Sequence, residues 1–268
     1  MQVALSSNDK KRCIAWKTEK GHGPFICPGC FGEVILKKGK IREHHFAHKP
    51  PFDCLYGRGE TQLHYKCKRK IYEALSNHPK VKRCEIEKQF DGLRADVYVE
   101  LSAIKIAIEV QKTNIDIDTI ARKSLNYSKL GIFTLWLSPY DAPEKKWHEG
   151  EAEWICRPKE WEKYIHAMYY GRFYYWVGEL SVKAFHFDRF QIYVEEKEWF
   201  NEYGNEQYGG GYFKNSRAHK LPVPYSKNLH ILDNFVPRKR NQFTSAKWSV
   251  HECNLWIDSL KPWWVKIK

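Results

Sequence analysis

The sequence has no apolar run long enough to span a membrane, and its first residues lack the apolar core of a secretory signal. It also has no internal repeat, no glycine-rich phosphate-binding loop and no nucleophilic-serine motif. These absences argue against membrane proteins, exported proteins, repeat proteins, P-loop nucleotide-binding proteins and serine hydrolases. The expected location is the cytoplasm, with no membrane partner.

Acidic residues are scarce relative to basic ones. The 268 residues include 45 lysines and arginines against 32 aspartates and glutamates, a formal net charge of +13. This excess predicts a polyanionic partner, and nucleic acid is favoured because no basic amphipathic helix suggests a membrane surface. A generally basic, solvated surface is the alternative. Hydrophobic residues make up 43% of the chain, enough for the core of one large domain or two smaller ones.

Eight cysteines in a chain without an export signal indicate metal ligands and free thiols, not a disulfide framework. The knuckle Cys27-Pro-Gly-Cys30 is followed by His45, His48 and Cys54, and tetrahedral zinc takes four such ligands. The predicted set is Cys27, Cys30, His48 and Cys54, with His45 as a substitute for one of them. A redox Cys-x-x-Cys pair is the competing interpretation, but it lacks a following helix and does not need the histidines.

Residues 94–111 alternate apolar and polar side chains, which predicts two strands joined by a tight turn near Ser102. If the strands pair, Asp96, Glu109 and Gln111 lie together on the polar face. Two converging carboxylates repel each other unless a cation or proton lies between them. Mg²⁺ or Mn²⁺ held there, activating water against a phosphodiester, is one interpretation. A half-buried hairpin with a solvated outer face is the other.

A helical period begins after Gly59, and Glu60, His64 and Lys68 recur at a spacing of four, so they share one face of the helix. The row is either a solvated stripe with an ordinary ion pair or an acid and a base that point into a site. From residue 60 the predicted order is helix, three strands, helix, strand, with the second helix from about residue 118 to residue 130.

This order, together with a set of collinear motifs, resembles the competence protein CoiA-like family and the wider PD-(D/E)xK nuclease superfamily. The matching pieces lie within residues 1 to about 140. They are Cys27-Pro-Gly-Cys30, His45-Phe-Ala-His48, Asp53-Cys54, Glu60 with His64 and Lys68, Arg94-Ala-Asp96-Val, Glu109-Val-Gln111, Arg122 with Tyr127, and Gly131 leading into Leu135-Trp-Leu137.

The resemblance implies an α+β fold. A PD-(D/E)xK-like α-β-β-β-α-β core with a mixed sheet would follow a zinc-binding β-hairpin segment and precede an aromatic-rich, β-containing region. The corresponding domains are residues 1–58, 59–140 and 141–268. Eight of the 11 tryptophans fall after residue 150, and their segments are predicted to form a core or, alternatively, a surface that stacks on single-stranded bases.

The resemblance also implies roles for individual residues. Asp96 and Glu109 would bind Mg²⁺, and Glu60 would complete the metal shell or hold a metal-bound water. Gln111 takes the place of the usual lysine that orients the attacking water, so Lys68 or His64 would supply the missing charge or proton relay. Candidate nucleic-acid contacts are Arg94, Arg122 and Tyr127.

The first functional hypothesis is a deoxyribonuclease that uses Mg²⁺ or Mn²⁺ and carries structural zinc, with little sequence specificity, in DNA processing, competence, recombination or defence. The second is a non-catalytic DNA-binding accessory protein in recombination that keeps a nuclease-like scaffold. Single- or double-stranded DNA is the expected partner in both, with recombination or defence proteins as further candidates.

Overall fold

The structure is a computed structural model that describes residues 1–50, 54, 56, 60–139, 144–148, 151–221 and 228–265. The chain forms two compact units. The first contains residues 1–140, 174–183 and 227–260, and the second contains residues 141–173, 184–226 and 261–268. The predicted boundaries after residues 58 and 140 fall outside the described residues, and the division into three domains stays a prediction.

The first unit begins with a five-stranded antiparallel sheet of order β2-β1-β3-β4-β5. Its strands are β1 Val3–Ser6, β2 Arg12–Ile14, β3 Phe25–Ile26, β4 Glu33–Lys37 and β5 His45–His48, with a short 3-10 turn at Lys20–His22. Alternation along β4 buries Val34 and Leu36, which pack with Phe25 and Phe46 in a small core. A core this small is typical of segments that a metal site completes.

The predicted order of helix, three strands, helix and strand follows in the structure. Its elements are α1 Gln62–Ser76, β6 Arg83–Phe90, β7 Leu93–Glu100, β8 Lys105–Val110, α2 Ile117–Lys129 and β9 Ile132–Pro139. The Thr61 hydroxyl caps α1 by accepting from the His64 backbone N–H at 3.2 Å, and Gly131 follows α2 in the left-handed region at φ +68°. Strands β6, β7 and β8 pair antiparallel, whereas β8 and β9 pair parallel, so the sheet is mixed.

Both faces of the central hairpin are covered. Residues 95–99 of β7 and residues 106–110 of β8 are all buried. A hairpin with a solvated outer face is therefore not what these residues form, because α1 and α2 both pack against this sheet. Any polar group along these strands is desolvated and must find a partner inside the protein.

Later strands extend the same sheet, which reaches nine strands. They are β12 Phe173–Gly178, β13 Ser181–Phe185, β19 Leu229–His230, β20 Phe235–Arg240 and β23 Cys253–Asp258, with a separate hairpin of β21 Phe243–Thr244 and β22 Ser249–Val250. Both β12 and β23 pair parallel with β9, at Tyr175 opposite Ser138 and at Leu255 opposite Thr134. Part of the aromatic-rich region thus belongs to the central sheet, as the buried Tyr174, Trp176 and Trp256 show.

The second unit is built from α3 Glu160–Met168 and short antiparallel pairings. A three-stranded sheet joins β10 Glu144–His148, β11 Glu151–Cys156 and β18 His219–Lys220, and two ribbons join β14 Gln191–Val194 to β17 Tyr212–Asn215 and β15 Lys197–Phe200 to β16 Glu206–Gly209. The helix buries Trp161 and Tyr164, whereas Phe200, Tyr208 and Phe213 on the ribbons are exposed. Among the described residues, no helix has the length and apolar character needed to cross a membrane.

Candidate functional site

Asp96 and Glu109 are placed by the pairing of β7 with β8. The carboxylate of Asp96 accepts a hydrogen bond from the Val110 backbone N–H at 2.9 Å, and both acids are almost completely buried. The register that pairs Tyr98 with Ala107 puts Asp96 and Glu109 at the same end of the hairpin, as alternation in the sequence predicts. The two strands alone therefore bring these acids to one place.

Helix α1 brings a second group of side chains to Asp96. His64 Nε2 lies 3.2 Å from Asp96 Oδ2, and Lys68 Nζ lies 3.6 Å from Asp96 Oδ1 and 2.8 Å from Glu60 Oε1. The spacing of four residues between His64 and Lys68 thus directs both side chains into a site, not into solvent. Glu60 lies before the N-cap Thr61 and outside the helix, so the prediction that it shares the helix face is wrong, although its carboxylate reaches the same site.

Three of these side chains offer donor atoms to a metal ion. One ring nitrogen of His64 and one carboxylate oxygen each from Glu60 and Asp96 lie within 4.8 Å of one another. Glu60 Oε2 is buried and accepts no hydrogen bond from the described residues, with the Met1 amino group 3.4 Å away. Carboxylate oxygens suit Mg²⁺ and Mn²⁺, and an added imidazole is more usual for Mn²⁺, so the donor set fits the expected divalent cation.

A cavity of about 370 Å³ opens beside these donors. Its lining includes Glu60, His64, Arg94, Asp96, Glu109, Gln111, Lys123 and residues 113–115. Six of the predicted site residues therefore face one space, which is large enough for a phosphodiester group and its neighbours.

Glu109 is held differently from Asp96. Its two carboxylate oxygens accept from Lys123 Nζ at 2.6 Å and from the Tyr127 hydroxyl at 2.7 Å, both on α2. Burial raises the pKa of Glu109, and Lys123 offsets this only in part. Glu109 lines the cavity but lies outside the group of donors formed by Glu60, His64 and Asp96.

Lys68 is completely buried and is the cation of a buried network. Besides Glu60 it donates to Glu87 at 2.7 Å, and Glu87 also accepts from the backbone N–H groups of Gln2 and Val3. Burial lowers the pKa of Lys68, but the three surrounding carboxylates outweigh this and raise it. For Asp96 the signs are opposite. Burial alone raises the pKa of this carboxyl group, but His64 and Lys68 lower it by more, so the pKa of Asp96 lies well below its usual value. Lys68 therefore holds the carboxylates of Glu60, Glu87 and Asp96 together, and its role as a proton relay stays a prediction.

Replacement of Lys68 by methionine is expected to destabilise the protein by about 3–5 kcal/mol, because it leaves buried carboxylates without their cation. Lys66 lies on the same helix with its side chain exposed, so Lys66→Met should change the free energy of unfolding by less than about 0.5 kcal/mol. Urea unfolding followed by circular dichroism measures both. Equal stability of the two variants would show that the buried network contributes nothing.

Of the remaining predicted site residues, two line the cavity and two do not. Arg94 donates to Glu60 at 3.1 Å and stacks over the Tyr56 ring, so it faces the cavity. Gln111 also lines the cavity, but its side-chain amide donates to the Thr113 carbonyl at 2.7 Å. Arg122 lines a different cavity, and Tyr127 is fully buried, so Tyr127 orients Glu109 instead of contacting nucleic acid.

Two residues at the site are absent from the sequence-based prediction. Lys123 reaches the cavity from α2, and Glu87 occupies the middle of β6 in the left-handed region at φ +48°. Such a backbone conformation is costly for a glutamate and persists only where its surroundings enforce it. A charged side chain on an amphipathic helix or on a strand is ordinarily solvated, so the sequence carries no signal for either residue.

The predicted zinc ligands form a second cluster, in the N-terminal sheet. Donor atoms of Cys27, Cys30, His48 and Cys54 lie within 4.8 Å of one another, with Cys30 Sγ 3.3 Å from His48 Nε2. Backbone N–H groups of Gly29, Gly32 and Tyr56 donate to the three sulfurs at 3.3–3.4 Å, as they do to thiolates.

This Cys₃His set fits zinc by ligand number and type. Burial and the adjacent Cys30 thiol raise the pKa of Cys27 to about 12, so a nearby cation is needed to keep it as a thiolate. His45, the substitute ligand, stacks on Tyr65 and its ring contacts the Glu43 carbonyl, outside the cluster.

Comparison with known proteins places both clusters within matched segments. The family described as "Competence protein CoiA, N-terminal domain" matches residues 5–57, and "Competence protein CoiA, nuclease-like domain" matches residues 60–184. "Competence protein CoiA" of Bacillus subtilis (strain 168) is 28% identical over 117 residues, which is 43% of this chain and 31% of that protein. The match thus spans about a third of the length of this relative. No solved structure matches the chain.

Proposed function

The chain belongs to the competence protein CoiA family, and from its acidic cavity we propose that it is a metal-dependent nuclease. Its substrate is DNA, cut at phosphodiester bonds with little sequence specificity. The observation that carries the proposal is the convergence of Glu60, His64 and Asp96 within 4.8 Å at one cavity. The net charge of +13 supports a polyanionic substrate and a strong dependence of binding on salt.

The donor group of Glu60, His64 and Asp96 would hold Mn²⁺ or Mg²⁺. A bound divalent cation activates water and offsets charge on the phosphate. The chain itself supplies orientation and further positive charge. The Val110 backbone and Lys68 fix Asp96, and Arg94 holds Glu60, so the donors are already in place before a cation enters.

Lys123 provides the positive charge that is missing at Gln111, the residue that follows β8. Its ammonium group lines the cavity, 2.6 Å from Glu109, and its side chain is 22% exposed, so it is accessible to a phosphate. Charge that builds on the phosphate oxygens in the transition state is stabilised by such a fixed cation. Glu109 and Trp136, whose ring lies 5.7 Å from Lys123 Nζ, position the ammonium group.

Replacement of Lys123 by methionine is expected to lower the cleavage rate by about 10²-fold, because one cation that stabilises the transition state is removed. Lys123→Arg should recover most of the rate, since the charge is retained. Lys129→Met, on the exposed last turn of the same helix, is the matched control and should cleave normally. Single-turnover cleavage of labelled DNA gives the rates. A full rate in Lys123→Met together with a loss of rate in Gln111→Met would show that Gln111, and not Lys123, assists cleavage.

A non-catalytic DNA-binding protein is the second candidate, and one observation favours it. Lys68 and Lys123 already contact the carboxylates of Glu60, Asp96 and Glu109, so the acids are neutralised by the chain itself. A protein that only binds DNA needs no metal ion at these carboxylates.

The two candidates are separated by incubating the purified protein with single- and double-stranded DNA in Mg²⁺, Mn²⁺ or EDTA. Cleavage in either metal, abolished by EDTA, supports the nuclease. Tight binding without cleavage in any metal supports the scaffold. In both cases the proposed setting is DNA processing in competence, recombination or defence, with proteins of those systems as partners.

A further inference from the structure

A concave, strongly basic surface lies on the N-terminal sheet, away from both metal-ligand clusters. Residues 37–42, Lys-Lys-Gly-Lys-Ile-Arg, lead from the end of β4 toward β5, and we call them the basic loop. They border a cavity of about 850 Å³ whose lining carries the cations Lys20, Lys37, Lys38, Lys40 and Arg42 and no carboxylate. A cavity of this size accommodates a stretch of nucleic-acid backbone.

Most of this positive charge is not neutralised by the protein. Lys38 pairs with Glu19 at 2.9 Å. The other four cations are exposed and form no ion pair with any carboxylate in the described part of the chain. Like charges held at one cavity repel each other, and a polyanion that enters the cavity removes this cost and releases counterions.

An apolar side chain stands among these cations. Ile41 is 99% exposed, the most exposed of the large hydrophobic side chains in the described residues. Proteins that bend DNA insert single aliphatic side chains of this kind between base pairs, flanked by basic residues that hold the phosphates. One isoleucine buries too little area to anchor a protein in a bilayer.

The basic loop is connected to the helix that serves the acidic cavity. Just beyond it, the Glu43 backbone N–H donates to Gln62 Oε1 at 2.7 Å, and the Glu43 carboxylate pairs with Arg69 at 3.2 Å. Gln62 and Arg69 belong to α1, which also carries His64 and Lys68. The basic loop and the donors His64 and Asp96 are thus connected through the contacts of α1.

We infer that the basic loop is a DNA-binding site in which the lysines and Arg42 bind the phosphate backbone of a duplex and Ile41 inserts between adjacent base pairs. The inference rests on the proposed function in taking DNA as the ligand. It adds a duplex contact and a local distortion of the substrate at a surface separate from the acidic cavity.

The test measures binding in EDTA, so that cleavage plays no part. The probe is a short duplex with 2-aminopurine at one position, whose fluorescence rises when its neighbours unstack. Wild-type protein should raise the fluorescence. Ile41→Ser should abolish the rise and weaken binding about tenfold. The double variant Lys37→Gln/Lys40→Gln should lower the slope of log Kd against log salt by about 1.8, because each phosphate that a lysine neutralises accounts for about 0.9 of that slope.

The control is Lys82→Gln/Lys105→Gln, which removes two exposed lysines near the turn that joins β7 to β8. It should leave the fluorescence rise and the salt dependence of Kd unchanged. A fluorescence rise that persists in Ile41→Ser overturns the inference. Ile41-dependent binding to phosphatidylserine vesicles, without an Ile41-dependent fluorescence rise, also overturns it and assigns the loop to a lipid surface.

The outcomes keep the inference and the proposed function apart. Metal-dependent cleavage with no effect of Ile41 on fluorescence rejects the inference alone. An Ile41-dependent rise in a protein that cleaves in no metal rejects the nuclease and leaves the loop as part of a DNA-binding scaffold. Absence of DNA binding rejects both.

Discussion

Replacement of Asp96 by asparagine is expected to reduce metal-dependent DNA cleavage by on the order of 10³-fold. Asparagine keeps the size of the side chain and an oxygen that can accept from the Val110 backbone N–H, so the hairpin is retained. It removes the negative charge that holds a divalent cation together with Glu60 and His64. The loss should therefore appear in the rate of the chemical step, with DNA binding in EDTA unchanged.

Glu100→Gln is the matched control for this experiment. Glu100 lies on the same strand and the same face as Asp96, and it accepts from the Tyr98 hydroxyl at 2.7 Å, but it does not line the cavity. Its cleavage rate should stay within about twofold of wild type, since substitutions away from a site have small effects. Circular dichroism verifies that both variants fold. A folded Asp96→Asn protein that cleaves at the wild-type rate would show that the acidic cavity is not the active site.

Removal of zinc is expected to have the largest effect on stability. The core around Cys27 contains few large side chains, chiefly Phe25, Val34, Leu36 and Phe46, so the Cys₃His cluster should contribute much of the free energy that folds this sheet. Cys27→Ser, or incubation with a strong chelator, should release about one zinc ion per chain. The melting temperature should fall by about 10 °C or more, given a shift of about 2–4 °C per kcal/mol for a chain of this size.

Cys13→Ser is the control, because Cys13 lies in the same sheet, packs against the same core and is outside the cluster. It should keep its zinc and lose about 1 kcal/mol or less. Elemental analysis gives the zinc content, and thermal unfolding gives the melting temperature. A wild-type protein that contains no zinc, and whose melting temperature does not respond to the chelator, would show that these cysteines do not bind zinc.

The second consequence of zinc removal concerns the acidic cavity. Gln2 lies just before β1, and Val3 is the first residue of β1. Their backbone N–H groups donate to Glu87, which in turn binds Lys68. Loss of the sheet would expose this buried network. The two clusters are therefore coupled through β1, and a chelator that removes only zinc should also impair cleavage.

The sequence by itself determined the parts of the sites that local geometry controls. Two cysteines three positions apart in a tight turn must point to one place, so the knuckle with His48 and Cys54 was predictable. The period of two along β7 and β8 put Asp96 with Glu109, and the spacing of four along α1 put His64 and Lys68 on one face, whereas Glu60 precedes this helix. These relations depend on backbone geometry over a few residues and hold wherever the segments lie.

The tertiary structure alone decided how the acids are neutralised and which strands complete the sheet. Lys123 meets Glu109, Lys68 meets Glu87, and β23 joins β9 through pairings between segments far apart in the chain. Tyr127 turns inward for the same reason, since a buried carboxylate needs a donor wherever packing brings one. The periodicity of the sequence does not predict such pairings. They arise only when burial removes water from charged groups, so that the nearest side chains must replace it.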